Sequence, residues 1–183
     1  MTTSTNAVST WTLDPIHSIA EFSVKHLMVA TVKGRFLEME GTIHIDEDQP
    51  LKSSVQATIQ TASVDTGNQM RDDDLRADDF LGVDKFPTIS FESKRVEKVD
   101  DERWKVFGDL TIRDVTREVT LDTELEGRAP GFDGKEHLGF TAETTINRKE
   151  FDLKYNAALE TGGMVVGDRV KITLHIEAIR QDE

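Results

Sequence analysis

The sequence predicts an all-β domain of roughly eight antiparallel strands, on three observations. Apolar and polar residues alternate along most of the chain, as in Leu37, Met39, Gly41, Ile43 and Ile45 against Glu38, Glu40, Thr42 and His44. Turn-forming clusters recur at near-regular spacing: Glu47-Asp48-Gln49-Pro50, Asp100-Asp101-Glu102, Arg113-Asp114 and Pro130-Gly131-Phe132-Asp133-Gly134. Apolar residues at helical spacing are nowhere sustained long enough for a long amphipathic helix.

Taken in order, Met1 to Thr10 is rich in Thr and Ser and reads as a disordered tail, leaving residues 11–180 as one domain. From Trp11 the pattern becomes strand-like, with Ala20, Phe22 and Val24 on one face and Glu21, Ser23 and Lys25 on the other. A break at Leu27-Met28-Val29-Ala30 precedes a run through Gly34 and Phe36 to Ile45, and Val55, Ala57 and Ile59 mark the next strand. Ile89 and Phe91 follow a connector. Trp104, Val106, Gly108, Leu110 and Ile112 then turn at Arg113-Asp114 into Val115, Val119, Leu121 and Leu125. Leu138, Phe140, Ala142, Thr144 and Ile146 form a further strand. Thr161-Gly162-Gly163 and Gly167-Asp168 are turn-like, and Val170, Ile172, Leu174 and Ile176 carry the last strand. A sandwich and a closed barrel both satisfy this pattern, and closure removes exposed edges.

The connector, residues 65–86, interrupts the strands. It holds Asp72, Asp73, Asp74, Asp78 and Asp79 around Arg71 and Arg76, with Met70 and Leu75 as its large apolar residues before Phe80. Asn68 is placed to cap a short helix, and acids in the first turn suit the helix dipole. One or two short helices are expected here, followed by an aromatic hook of Phe80, Leu81, Val83 and Phe86 dropped onto the end of the sheet. The acidic run reads as a solvated connector.

Composition excludes several classes. A net charge of −13 argues against nucleic acid and against an anionic membrane as a broad electrostatic partner. With no Cys there is no disulfide framework, thiolate nucleophile or Cys-based metal site. No run approaches the roughly 18 apolar residues of a membrane helix, so stable membrane insertion is not expected. The first residues lack a basic start and an apolar core, so the sequence as it stands reads as cytoplasmic.

Catalytic motifs are few. No Gly-x-Ser-x-Gly elbow occurs, and Ser18 beside His17 on a strand would face away from it. Gly162-Gly163-Met164-Val165-Val166-Gly167 matches neither a P-loop nor a dinucleotide fingerprint. The five histidines, His17, His26, His44, His137 and His175, show no metal-ligand spacing, so no metal site, cofactor or catalytic residue is assigned. His17 and His26 are read as structural.

Several short patterns resemble the YceI-like family. They are Trp11-Thr12-Leu13-Asp14 with His17-Ser18 and His26-Leu27; Val32-x-Gly34-x-Phe36; Thr66-Gly67-Asn68 with Arg71-Asp72, Leu75-Arg76 and Asp79-Phe80; and Pro87-Thr88-Ile89 with Phe91. Gly108-x-Leu110-Thr111-Ile112, Val115-Thr116-Arg117, Ile146-Asn147-Arg148 with Phe151, and Val165-x-Gly167-Asp168-x-Val170 continue the series. Asp74 and Ala77 stand where that family often has His and Ser. The resemblance implies a lipocalin-like eight-stranded barrel, extended from the lipocalin pattern, and homodimerisation as a possibility. It also implies an apolar tunnel for polyisoprenoid or fatty-acyl chains.

The residues alone leave a filled and a hollow barrel both open, because large and small residues (Ala20, Gly34, Ala57, Gly108, Ala142) share faces. The inward candidates are Phe22, Val24, Phe36, Phe80, Phe86, Phe91, Leu110, Ile112, Phe140, Ile146 and Phe151. Arg71 and Arg76 are the cations for an anionic head group. The expected function is non-catalytic carriage of a long-chain lipid. The rivals are a His17- or His26-dependent metal enzyme or stress-response factor, and a filled barrel serving as an interaction module.

Overall fold

All strand pairings are antiparallel, and the last strand returns to the first. The computed structural model describes residues 8–155 and 166–181. The strands are β1 (Val8–Leu13), β2 (Ile19–His26), β3 (Ala30–Phe36), β4 (Met39–Asp46), β5 (Ser54–Gln60) and β6 (Val64–Asp65). They continue with β7 (Thr88–Lys98), β8 (Arg103–Ile112), β9 (Val115–Pro130), β10 (Glu136–Asn147) and β11 (Val166–Arg180). One short helix, α1 (Gln69–Arg76), lies in the connector.

These 11 strands occupy eight positions round a barrel, since three long strands are each broken in two. β1 and β2 lie end to end along one edge of β11, whose other edge takes β10. β4 pairs with β1 and β3 with β2, and the next position is β5 beside β4 with β6 beside β3. β7 to β11 follow as a meander. The ring closes where Trp11 stands opposite Arg180 and Ala20 opposite Leu174. This is the closed eight-stranded antiparallel barrel expected.

The breaks have local causes. Between β1 and β2 the chain bends through residues 14–18, so His17 and Ser18 are not on a strand as the sequence pattern suggested. The Ser18 hydroxyl donates to the Glu177 carbonyl at 3.1 Å and accepts from the Glu177 N–H at 3.2 Å, fixing the bend to β11. The expected tail also ends sooner: Val8, Ser9 and Thr10 belong to β1, where Ser9 is buried and its Oγ accepts from the Trp11 indole at 2.8 Å. Gly167 and Asp168 lie within β11, where the register against β2 shifts between Val166 and Val170, and form no separate turn. Residues 1–7 of the tail and the Thr161-Gly162-Gly163 turn lie outside the described residues.

Buried side chains gather in three clusters. Val64, Leu81, Ile112, Ile146, Phe151 and Leu153 pack at the connector end, and Trp11, Leu138 and Ala178 at the other. Leu13, Ala20 and Met39 form the third, where β1, β2 and β4 meet. The rest of the interior is open.

Candidate functional site: an apolar cavity inside the barrel

The open interior is a cavity of about 470 Å³ whose walls are almost wholly side-chain carbon. That volume falls within the range of small-ligand sites. Of the predicted inward residues, Phe22, Val24, Phe36, Phe80, Phe91, Leu110, Ile112, Phe140 and Ile146 line it. Phe86 and Phe151 do not. The guanidinium of Arg113 covers the Phe86 ring, 5.0 Å from its centroid, and Phe151, 1% exposed, is buried in the turn after β10. Leu13, Met39, Ile43, Leu121, Leu138 and Leu174 also line the cavity, and the alternation that selected Phe140 selects Leu138 equally.

The small residues divide into two kinds. Ala20, Ala57 and Ala142 border empty space. Gly34 and Gly108 make room for rings: a Cβ on Gly34 would lie 2.3 Å from Phe22 Cζ, and one on Gly108 2.6 Å from Phe91 Cζ. Phe22 and Phe36 meet with centroids 5.5 Å apart, forming an aromatic wall on that side.

At the connector end, Leu75, Phe80 and Leu81 complete the lining, and Phe80 lies against Tyr155 at a centroid distance of 4.8 Å. The Asn68 side chain caps α1 by accepting from Arg71 N–H at 3.0 Å. Asp72, expected to be solvated, is 7% exposed and accepts from both the N–H and the hydroxyl of Thr66. Arg71 Nε donates to Thr66 Oγ1 at 2.8 Å and its Nη2 to the Thr66 carbonyl at 2.9 Å. Arg76 donates to the carbonyls of Ala62 and Val64 at 3.0 and 2.9 Å. Arg71 is thus held on Thr66 and Arg76 on the Ala62 and Val64 carbonyls, and neither of the two cations expected to meet a head group is among the cavity-lining residues.

Two other cations do reach the cavity. Arg148, 3% exposed, donates to the carbonyls of Leu153, Tyr155, Val166 and Gly167, tying the end of β10 to the start of β11. Burial pushes its pKa down while Asp168 opposes the shift. At the opposite end Arg128 sits between Glu136, at 2.6 Å, and Glu47, at 3.2 Å, with Arg180 also on Glu136 at 2.9 Å. These guanidinia, Arg128 first, hold the Glu136 carboxyl down at about 2.

A second cluster lies on the outer surface at the β1–β2 bend. His17 Nδ1 meets Asp14 Oδ2 at 2.7 Å, and donor atoms of Asp14, His17 and Glu177 all lie within 4.8 Å of one another. Glu177 also meets His137 at 2.7 Å, and His137 meets Asp133 at 3.0 Å. The hydrogen bonds that Asp14 accepts from His17, and Glu177 from His137, raise both histidine pKa values. Spacing missed this group because Glu177 is brought to Asp14 and His17 only by barrel closure.

A closed barrel around an apolar chamber is an architecture with room for a small hydrophobic ligand. The chain belongs to the YceI-like family, whose domain profile matches residues 11–178. A UPF0312 protein from Staphylococcus aureus is 39% identical over 171 residues, covering 93% of this chain and 97% of that one. A mutant of the Campylobacter jejuni YCEI protein superimposes with a TM-score of 0.73 at 35% identity, over 86% of this chain and 90% of that chain. A polyisoprenoid binding domain from Saccharophagus degradans shares the fold with a TM-score of 0.71 at 15% identity, over 93% and 98% of the two chains.

Proposed function

We propose that this protein binds and carries a long-chain apolar lipid, of polyisoprenoid or fatty-acyl type, without transforming it. The observation that carries the reading is the cavity walled by carbon, running from Arg128 to Arg148. Each methylene moved from water into such a chamber contributes about 0.8 kcal/mol, so a long chain binds tightly with few polar contacts. The description of the Saccharophagus domain as polyisoprenoid binding supports the ligand class. A non-catalytic role fits the candidate nucleophile: Ser18 is engaged with the Glu177 backbone, and neither Ser18 nor His17 lines the chamber. With Arg71 and Arg76 committed to carbonyls, selection rests on chain length and shape.

Native mass spectrometry of protein purified from its own host, followed by solvent extraction, tests this. A discrete bound mass that extracts as an isoprenoid or acyl chain is the expected result. A clean unliganded mass, unshifted after incubation with polyprenyl and fatty-acyl lipids, overturns it.

A second reading is favoured by the Asp14, His17 and Glu177 group, whose nitrogen and oxygen donors suit a divalent first-row cation. In this reading the external cluster serves a metal-dependent activity separate from the chamber. Stoichiometric metal in chelator-free protein, lost in His17→Ala, supports it. Protein that takes up no added zinc rules it out.

A further inference from the structure

The turn joining β2 to β3 breaks a local rule. Leu27 and Met28 both hold positive φ, 53° and 61°, and the Val29 N–H bonds back to the His26 carbonyl at 3.2 Å. Two successive positive-φ residues make the primed hairpin turns, where Asn and Gly fit and larger side chains are strained. The comparable turn at Arg113 and Asp114, with φ of 51° and 59°, has a contact that accounts for its first residue. Arg113 reaches the carbonyls of Asp78 and Phe80 and covers the Phe86 ring. Leu27, Met28 and Val29 instead face solvent, 40%, 67% and 83% exposed. Strain held at an exposed site points to a role other than packing.

Charge segregates at the same place. From Phe22 to Leu37 the sequence has Lys25, Lys33 and Arg35 and no Asp or Glu, in a chain of net charge −13. The strand register sets Lys33 opposite Ser23 and Lys25 opposite Thr31, so both exposed lysines share the outer face of the hairpin. Arg35 is matched by Asp65 at 3.6 Å, while Lys25 donates to the Thr31 hydroxyl. The cavity also runs to the root of this hairpin. Val24 and Val166 line it, and Val166 stands opposite His26.

We propose that the β2–β3 hairpin is a membrane-docking finger, whose Leu27-Met28-Val29 tip enters the interface of an anionic lipid bilayer while Lys25 and Lys33 meet the headgroups. Docking brings the root of the finger, and with it one end of the cavity, to the lipid that fills the chamber. The acidic remainder of the chain is repelled by the same surface, so only this end approaches. A tip of three apolar residues with two lysines gives weak, reversible attachment, as a carrier that must leave the membrane requires. The purpose of docking rests on the lipid-carriage reading; docking itself is measured separately.

The test is flotation of the full chain with vesicles of phosphatidylcholine containing about one third phosphatidylglycerol, an anionic surface of the kind polybasic segments bind. The double variant Leu27→Asn/Met28→Gly relieves the turn, so its melting temperature stays level or rises while vesicle binding falls roughly tenfold or more. Lys25→Glu/Lys33→Glu leaves the turn intact and also lowers binding roughly tenfold. A parent protein that does not float, or an Asn-Gly variant that floats as the parent does, overturns the proposal. Native mass spectrometry of the same samples separates the two ideas. Lipid-filled protein that never floats removes the finger and keeps the carrier, and empty protein that floats does the reverse.

Discussion

Thr66 and Asp72 face each other across the start of α1, and the carboxylate takes both the Thr66 N–H, at 2.8 Å, and its hydroxyl, at 2.6 Å. The same Thr66 hydroxyl accepts from Arg71, so three side chains from one short segment share a single hydrogen-bonded knot. This knot places Leu75, Phe80 and Leu81 over the end of the chamber.

Asp72→Ala leaves the Thr66 N–H and hydroxyl without their acceptor. Losing a buried charged acceptor costs on the order of 2–3 kcal/mol, which urea unfolding will register as a lower midpoint. An unchanged midpoint would show the knot to be dispensable.

Phe80→Ala acts on the ligand more than on the fold. The ring is only partly buried and has the cavity on one side, so its loss falls below the ~3–5 kcal/mol of a fully enclosed Phe. Lipid should dissociate faster, measured by transfer to acceptor vesicles, while the melting temperature drops by a few degrees. Unchanged transfer with a large drop in melting temperature would make Phe80 a core residue.

Ala142→Phe tests the chamber from its wall. Ala142 borders the cavity on β10, and a ring there fills space now open to the ligand. The variant should fold, with circular dichroism unchanged, and retain little long-chain lipid. Gly34→Ala is the contrasting case, because its methyl meets the Phe22 ring at 2.3 Å and overpacking costs about 1–3 kcal/mol.

Acid should weaken the Arg128 end. The Glu136 carboxyl is held at about 2 against an ordinary value of 4.5, chiefly by Arg128 and then Arg180. A depressed carboxylate contributes stability that is complete above pH 4.5 and is lost as pH falls toward 2. Its side chain is about a third exposed, so screening keeps the effect modest. Glu136→Gln should flatten the stability–pH curve over that window, and an unaltered slope in acid unfolding would place the sensitivity elsewhere.

Much of the architecture was legible because strand alternation is a local signal. Ala20, Phe22 and Val24 declare their shared face within five residues, and Asn68 declares the helix it caps. What stayed hidden depends on distant partners. Arg71 and Arg76 look like free cations until Ala62, Val64 and Thr66 supply carbonyls for them, and Asp72 looks solvated until Thr66 folds over it. Gly34 and Gly108 suggest empty space, yet the rings of Phe22 and Phe91 fill it. Glu177 joins Asp14 and His17 only across the closed seam.

That seam has a consequence for synthesis on the ribosome. Ser18 bonds to Glu177, a separation of 159 residues, and Gln181 N–H reaches the Thr10 carbonyl at 2.8 Å. β1 and β2 therefore emerge long before their neighbour exists, and their edge must wait unpaired until β11 has been made. Contacts so distant in sequence make folding slow. In the nascent chain, that waiting edge is the place where a chaperone, or a mispaired second copy, would first take hold.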